Sequence, residues 1–406
     1  MEVKLPTSLR IHGYSFRLKL VFVYSSLSSF VMGLYFVIIQ FYLLELGFYP
    51  SQIGALFTIG GVTSAILTLP SGIIADKIGR AKMVFISTLS EVVALFIIAS
   101  SSSFLHQAIA QLFMGLGWSS HAALSALIAD IERKERLSDA YTFSFFLNNM
   151  LIAVGSFLGF IPPYLQKLGV GVIESYRHPL YFIAIIFSIG MVFLTPLLKE
   201  KREAKAGREW RITSRRLLWR LGLVNLLIGF GAGLTIPIFN VYFYLKFGVG
   251  PEFMGPLSGI GSLIMSFLSI YINEIGKVKG KVRTIVGVEV IAIALLLGIV
   301  ASRSFLLAGL FFIMRYVLMN VSSPLIEAFI MERIAVGERA TFMSLINLAW
   351  NLPNSGSTFI GGILLEKWVE LPPLLTSLLY AVAVLIFYSF FRKEDVKHRL
   401  DPVKSN

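Results

Sequence analysis

Of the 406 residues, 56% are hydrophobic and 15% charged, and the mean hydropathy is +0.77; soluble domains carry roughly 25% charged residues. A soluble globule of this composition would have nowhere to hide its apolar surface, so an all-α polytopic membrane protein without a separate soluble domain is expected. Cysteine is absent and the five histidines, His12, His106, His121, His178 and His398, never fall at metal-ligand spacing, which leaves no expectation of a disulfide, a metal or a cofactor. The formal charge of +13 says little about a partner until its placement along the chain is known.

Apolar stretches of roughly 20 residues, enough for a 30 Å hydrocarbon layer, recur along the chain. They predict twelve helices, at 18–45, 52–75, 81–100, 104–129, 138–165, 179–198, 215–246, 252–275, 282–301, 304–331, 338–365 and 371–391. The first is too long, and its flank "RLKL" too far from a small-residue cleavage site, for a removable signal peptide. Between the second and third lies "GIIADKIGRAK", residues 72–82, with more charge than a turn requires. Gly72 would allow close helix approach, Gly79 a tight turn, and Asp76 at a helix end an ionic contact. "KEKREAKAGREWRITSRR", residues 199–216, separates the sixth helix from the seventh and reads as a solvated linker.

The expected organisation is therefore a tail at 1–17, a six-helix bundle at 18–198, a linker at 199–214, a second bundle at 215–391 and a tail at 392–406. With both termini placed in the cytoplasm, 29 of the 36 Lys and Arg fall on the inner side and 5 on the outer, with Arg220 and Arg315 inside spans. That asymmetry is what the positive-inside rule demands, so topology accounts for the basicity without a nucleic-acid partner. The bilayer itself is the expected macromolecular environment, and the chain is expected to act as a monomer.

The two halves repeat. A shift of 201 aligns "GFYPSQIGALFTIG" at 47–60 with "GVGPEFMGPLSGIG" at 248–261. A shift of 197 aligns the charged loop with "SIYINEIGKVK" at 269–279, where Lys277 and Lys279 stand opposite Arg80 and Lys82 but Asn273 replaces Asp76 and Ser269 replaces Gly72. An internal repeat of this kind points to a transporter built from two related halves.

The loop fits the pattern G-x-x-x-D-(R/K)-x-G-(R/K)-x-(R/K)-(R/K) at Gly72, Asp76, Lys77, Gly79, Arg80 and Lys82, with Met83 the one departure. In this and in its 6+6 repeat the chain resembles the major facilitator superfamily over its whole length. The resemblance implies twelve helices in two pseudo-symmetric halves, transport by alternating access, and a gating loop. The basic residues of that loop would reach Asp130 at the inner end of helix 4, and its acid would face the start of helix 11, here "ERAT" at 338–341. Among its members the drug:proton antiporters are the nearest in appearance, yet "QLFMGLG" has Gln111 where their helix 4 carries arginine, and "GSFLGFIPP" displaces the helix 5 proline to 162 and 163.

Ionisable groups at bilayer depth mark pathways or paired networks. Glu91, Glu289, Arg315 and Glu327 qualify, and His121 is a further proton-carrier candidate. Arg315 lies about 16 Å in from the outer end of its helix, and Glu327 about 18 Å further along the same helix, at 1.5 Å per residue. Glu289, on the neighbouring hairpin, is the preferred partner of Arg315. One reading makes Arg315 a cavity cation with Glu289 or Glu327 exchanging a coupling proton; the other is a static buried pair, which for Glu91 is the preferred reading. Glycines and Pro237 in "NLLIGFGAGLTIPIFN" predict a bend near residue 233, and Pro353 in "NLAWNLPNSGSTFIGG" repeats the idea, hinge and packing being equally open. Gln40, Asn240, Asn320 and Asn351 offer a few polar groups among aromatic walls, which suits a small amphipathic ligand.

No G-x-x-x-x-G-K-(S/T) loop is present, so the proton-motive force rather than ATP is the expected energy source. The expectation is a transporter and not an enzyme: proton-coupled efflux of small amphipathic compounds at the plasma membrane. The alternatives are uptake of a sugar, organic acid or other metabolite and, more remotely, a non-transporting scaffold or sensor.

Overall fold

The computed structural model describes residues 13–198, 214–268, 281–334 and 338–392, and leaves the side chain of His121 undescribed. Residues 1–12 of the N-terminal tail, the C-terminal tail beyond Arg392, most of the linker and the whole of "SIYINEIGKVK" with Asn273 lie outside the described residues. Every described element is helical. Twelve segments follow one another: α1 Phe16–Glu45, α2 Pro50–Ile78, α3 Arg80–Ser100, α4 Phe104–Ile131, α5 Leu137–Lys167, α6 Val172–Leu197, α7 Arg215–Phe247, α8 Pro251–Leu268, α9 Lys281–Ala301, α10 Phe305–Met331, α11 Arg339–Lys367 and α12 Leu371–Phe391. Ten of these, all but α8 and α11, are long and apolar enough to cross a membrane. The asparagines and serines of "NLAWNLPNSGS" dilute the apolar character of α11, whose 29 residues span about 43 Å at the helical rise.

Breaks fall where the backbone lacks donors or where polar side chains compete for it. α7 passes through a 3-10 turn at Ile236–Ile238, because Pro237 has no N–H to give to the helical ladder. The bend expected near 233 thus lies a few residues later. The glycines before it pack instead: a Cβ on Gly233 would stand 1.9 Å from the Asn354 carbonyl oxygen of α11, and one on Gly229 would stand 2.3 Å from that of Trp350. Pro353 leaves α11 helical from Arg339 to Lys367, so no break occurs there. α4 turns at Ser119 and Ser120, whose side chains lie among the buried polar groups.

Residue contacts divide the chain into two compact units. The first comprises 1–48, 59–206 and 249–270; the second comprises 49–58, 207–248 and 271–406. Each therefore departs from a chain half: the first unit takes in the whole of α8, and the second takes in the start of α2. In the first unit α8 lies on α5, where Ser266 donates to the Phe146 carbonyl at 2.8 Å and a Cβ on Gly255 would be 2.4 Å from the Ser156 oxygen. In the second unit the start of α2 lies on α11: Thr58 donates to the Ser355 carbonyl at 2.8 Å, and the Glu366 carboxylate accepts from the Ser51 N–H, also at 2.8 Å.

The repeat is visible in the packing of each unit. Within the first, Gly33 of α1 meets the Ile152 carbonyl of α5; within the second, Gly233, 200 positions later, meets Asn354 of α11. Backbones approach this closely only over glycine, which is how membrane helices gain van der Waals contact without a hydrophobic drive. The second unit also carries an apolar core in which Leu221 and Val224 of α7, Ile285 of α9, Leu325 and Phe329 of α10, Phe342 of α11 and Phe387 of α12 meet.

Candidate functional site

In the first unit the charged loop forms a local ionic cluster. Gly79, between α2 and α3, has φ +104°, a conformation glycine adopts at no steric cost. Arg80, the first residue of α3, donates through Nη1 to the Ala126 carbonyl at 2.6 Å and lies 2.7 Å from Asp130 Oδ1; its Nη2 is 3.8 Å from Asp76 Oδ1. The contact from helix 3 to the acid at the end of helix 4 is thus present, made by Arg80. Lys77 and Lys82 are exposed, and the Asp76 side chain is 58% exposed. Gly72 differs from expectation: a Cβ there would meet nothing within 4 Å, so close helix approach is not its role in this structure.

The second unit repeats the arrangement one helix turn from where the aligned loop pointed. Lys281, the first residue of α9 and 201 positions after Arg80, pairs with Glu332 just beyond α10, and Arg333 Nη1 lies 3.6 Å from the same carboxylate. At the start of α11, Glu338 accepts from both the hydroxyl and the N–H of Ser214 at the start of α7, satisfying a helix N-terminus that has no intrahelical partner. At the corresponding place in the first unit, Arg136 donates to the Gly13 carbonyl and lies over the Tyr14 ring, 4.9 Å from its centroid. Tyr14 is buried between Phe22 and Phe143, and that burial, with Asp139 nearby, pushes its hydroxyl above the ordinary tyrosine pKa.

Of the ionisable residues at bilayer depth, the second unit brings Glu289 and Arg315 together. Glu289 on α9 is 5% exposed, Arg315 on α10 is 6% exposed, and the two interact electrostatically. The Arg315 guanidinium also lies 5.9 Å from the ring centroid of Tyr380 on α12, a residue that is 2% exposed. Glu289 Oε2 and Arg315 Nε are buried without a hydrogen-bond partner among the described residues. Glu327 sits apart, exposed, about three turns along α10. Glu91 belongs to the first unit, where its buried carboxyl lies against Gly117 of α4, so that a Cβ on that glycine would be 2.7 Å from Oε1.

Asn320 and Asn351 bond within their own helices. Asn320 donates to the Tyr316 carbonyl at 2.7 Å and Asn351 to that of Asn347 at 2.9 Å, both from exposed positions. Donating to the carbonyl four residues earlier costs the backbone little and leaves the amide oxygen available as an acceptor. Gln40 is buried in α1 and Asn240 half-buried in α7.

The family model described as "Major Facilitator Superfamily" matches residues 21–358. The chain belongs to the major facilitator superfamily. It is accordingly a polytopic membrane transporter of a family whose members are generally not enzymes. No curated protein matches it. Among solved structures, a bacterial homolog of the human lysosomal transporter Spinster, inward-facing and occupied, matches at TM-score 0.70 and 14% identity, covering 93% of this chain and 97% of that one. The nucleoside transporter NupG matches at TM-score 0.66 and 15% identity over 93% and 99%. The human organic anion transporter MFSD10 (TETRAN) matches at TM-score 0.63 and 14% identity over 94% and 100%.

Two polar clusters of this superfamily chain escaped the sequence reading. In the second unit Lys246 Nζ lies 2.8 Å from Glu370 and 3.1 Å from the Tyr242 hydroxyl, and donates to the Ile299 and Val300 carbonyls that end α9. In the first, Arg177 reaches Glu174, Ser102 and the Tyr42 hydroxyl, which in turn donates to the Ile98 carbonyl near the end of α3. Tyr42 and Tyr242 are 200 positions apart; that spacing was the available signal. A cation at a helix C-terminus is favourable, so each cluster ties three helices of its own unit.

Proposed function

We propose that the protein is a plasma-membrane secondary transporter, monomeric and with both termini in the cytoplasm, that exports small amphipathic compounds in exchange for protons by alternating access. The observation that carries this reading is the Glu289–Arg315 site. A static buried pair is stabilising only when its remaining polar atoms are satisfied, and here one carboxyl oxygen and one guanidinium nitrogen are not. A carboxyl group held beside a cation in a poorly hydrated interior is suited to exchanging a proton as its surroundings change. Glu289 is assigned the coupling proton in preference to Glu327, which is exposed and distant from Arg315. Arg315 is the cation that responds to the charge on Glu289.

Asp76, Lys77, Arg80, Lys82 and Asp130 are assigned to conformational gating rather than to recognition. The organic anion and nucleoside named for two structural neighbours are small organic solutes, which agrees with a small-molecule substrate. The test is counterflow and uptake in proteoliposomes, with and without a pH gradient, using amphipathic cations, organic anions and sugars. Proton-dependent extrusion of amphipathic compounds is expected, and Arg315→Ala should abolish it while leaving expression intact. Gradient-insensitive flux of every transported compound would overturn the coupling, and sugar or organic-acid uptake alone would reverse the direction.

A further inference from the structure

The Glu289–Arg315 site has a third member on α12, and that member touches α7. Tyr380 places its ring 5.9 Å from the Arg315 guanidinium and also against Gly231 of α7, where a Cβ would stand 3.2 Å from two ring carbons. One turn earlier on α12, Thr376 donates to the Gly231 carbonyl at 2.7 Å and pairs with the Thr235 hydroxyl at 2.7 Å. Thr235 is the last residue before the 3-10 turn at Ile236–Ile238. Tyr380 therefore stands between the buried charge pair and the interrupted stretch of α7.

The groups around Glu289 are few. The helices packed most extensively on α9 are α10 and α12; the titratable groups they bring to Glu289 are Arg315 and Tyr380. On α9 itself the other described charges, Lys281 and Arg283, are about 12 Å and 9 Å away along the axis at the helical rise. The guanidinium thus has two neighbours with which to share its donors, the Glu289 carboxyl and the Tyr380 hydroxyl, and its Nε is uncommitted.

We propose that Tyr380 is a positioning residue of the coupling site: its hydroxyl takes up the Arg315 guanidinium when Glu289 carries a proton, and releases it when the proton leaves. This rests on the reading that Glu289 exchanges the coupling proton. The exchange conserves atoms and charge, since the proton binds and leaves at the Glu289 carboxyl and the guanidinium only changes its acceptor. Because Tyr380 also lies against Gly231, the same residue touches both the charged site and α7.

The test uses the full chain reconstituted in lipid and follows the protonated-carboxyl infrared band as a function of pH, a readout that needs no identified substrate. Tyr380→Phe keeps the ring and removes the hydroxyl, leaving the guanidinium wholly to Glu289, which favours the carboxylate. The pH at which the band is half lost should fall, with proton affinity down by about threefold, or half a pH unit. Arg315→Gln supplies the control: with the guanidinium gone, adding Tyr380→Phe should move nothing further, a coupling that a merely structural tyrosine would not produce. An unchanged midpoint in Tyr380→Phe, or the same shift with and without Arg315, overturns the proposal. Glu289→Gln tests the underlying reading separately, because persistence of the titrating band in that variant removes Glu289 as the proton carrier whatever Tyr380 does.

Discussion

Arg80 shows how one side chain ties the loop to its own unit. Its guanidinium is held by the Ala126 carbonyl and Asp130 at 2.6 and 2.7 Å, and only loosely, at 3.8 Å, by Asp76. Asp76 is mostly exposed, so its carboxylate is available to a donor that changes during a transport cycle, whereas Asp130 is held by Arg80. Asp76→Asn is therefore expected to slow turnover severalfold with unchanged substrate preference, measured as initial rates against concentration for two competing compounds. Altered preference at normal turnover would contradict the gating assignment. Asp130→Asn should instead lower stability by about 1 kcal/mol, the scale of a half-buried ion pair. The motif residues were legible in the sequence because charge and glycine at fixed spacing need no tertiary information. Lys281 was not, because a cation at the first residue of an apolar helix reads as an ordinary topology anchor.

At the scale of elements, the glycines divide into two kinds that composition does not separate. Gly229 and Gly233 lie under carbonyls of α11, while Gly356 of α11 has open space where its Cβ would be. Gly233→Leu should therefore cost at least about 1–3 kcal/mol through overpacking, seen as loss of the monodisperse species after mild heating in detergent. Gly356→Ala should leave that profile unchanged, and equal losses would show that the α7–α11 crossing is not what Gly233 serves. In the sequence, hinge and packing are equally open at these positions. Helical spacing reports that small residues share a face, and only the neighbouring helix reveals whether that face is filled.

For the whole molecule, topology is the statement most open to direct measurement, and the absence of cysteine makes it clean. Single cysteines at Lys77 and Lys82 should react with a membrane-impermeant maleimide only from the cytoplasmic side in oriented vesicles. A cysteine at Ser102, between α3 and α4, should react only from the other side. The reverse pattern would overturn the orientation drawn from Lys and Arg placement.

Class, helix number, the twofold repeat of six helices and the charged loop between α2 and α3 were all legible in the sequence alone. The reason is that a hydrocarbon layer imposes length and hydropathy on each span independently of the others, and a duplicated plan leaves a fixed offset in the numbering. Only the tertiary structure decided which polar groups meet. Depth along the helices pairs Glu289 with Arg315, but by sequence Tyr380 is one aromatic among 15 tyrosines, and Lys246 is a loop charge. Each acquires its role from a helix distant in sequence, because side-chain direction around a membrane helix is set by neighbour packing, and hydropathy carries no record of azimuth.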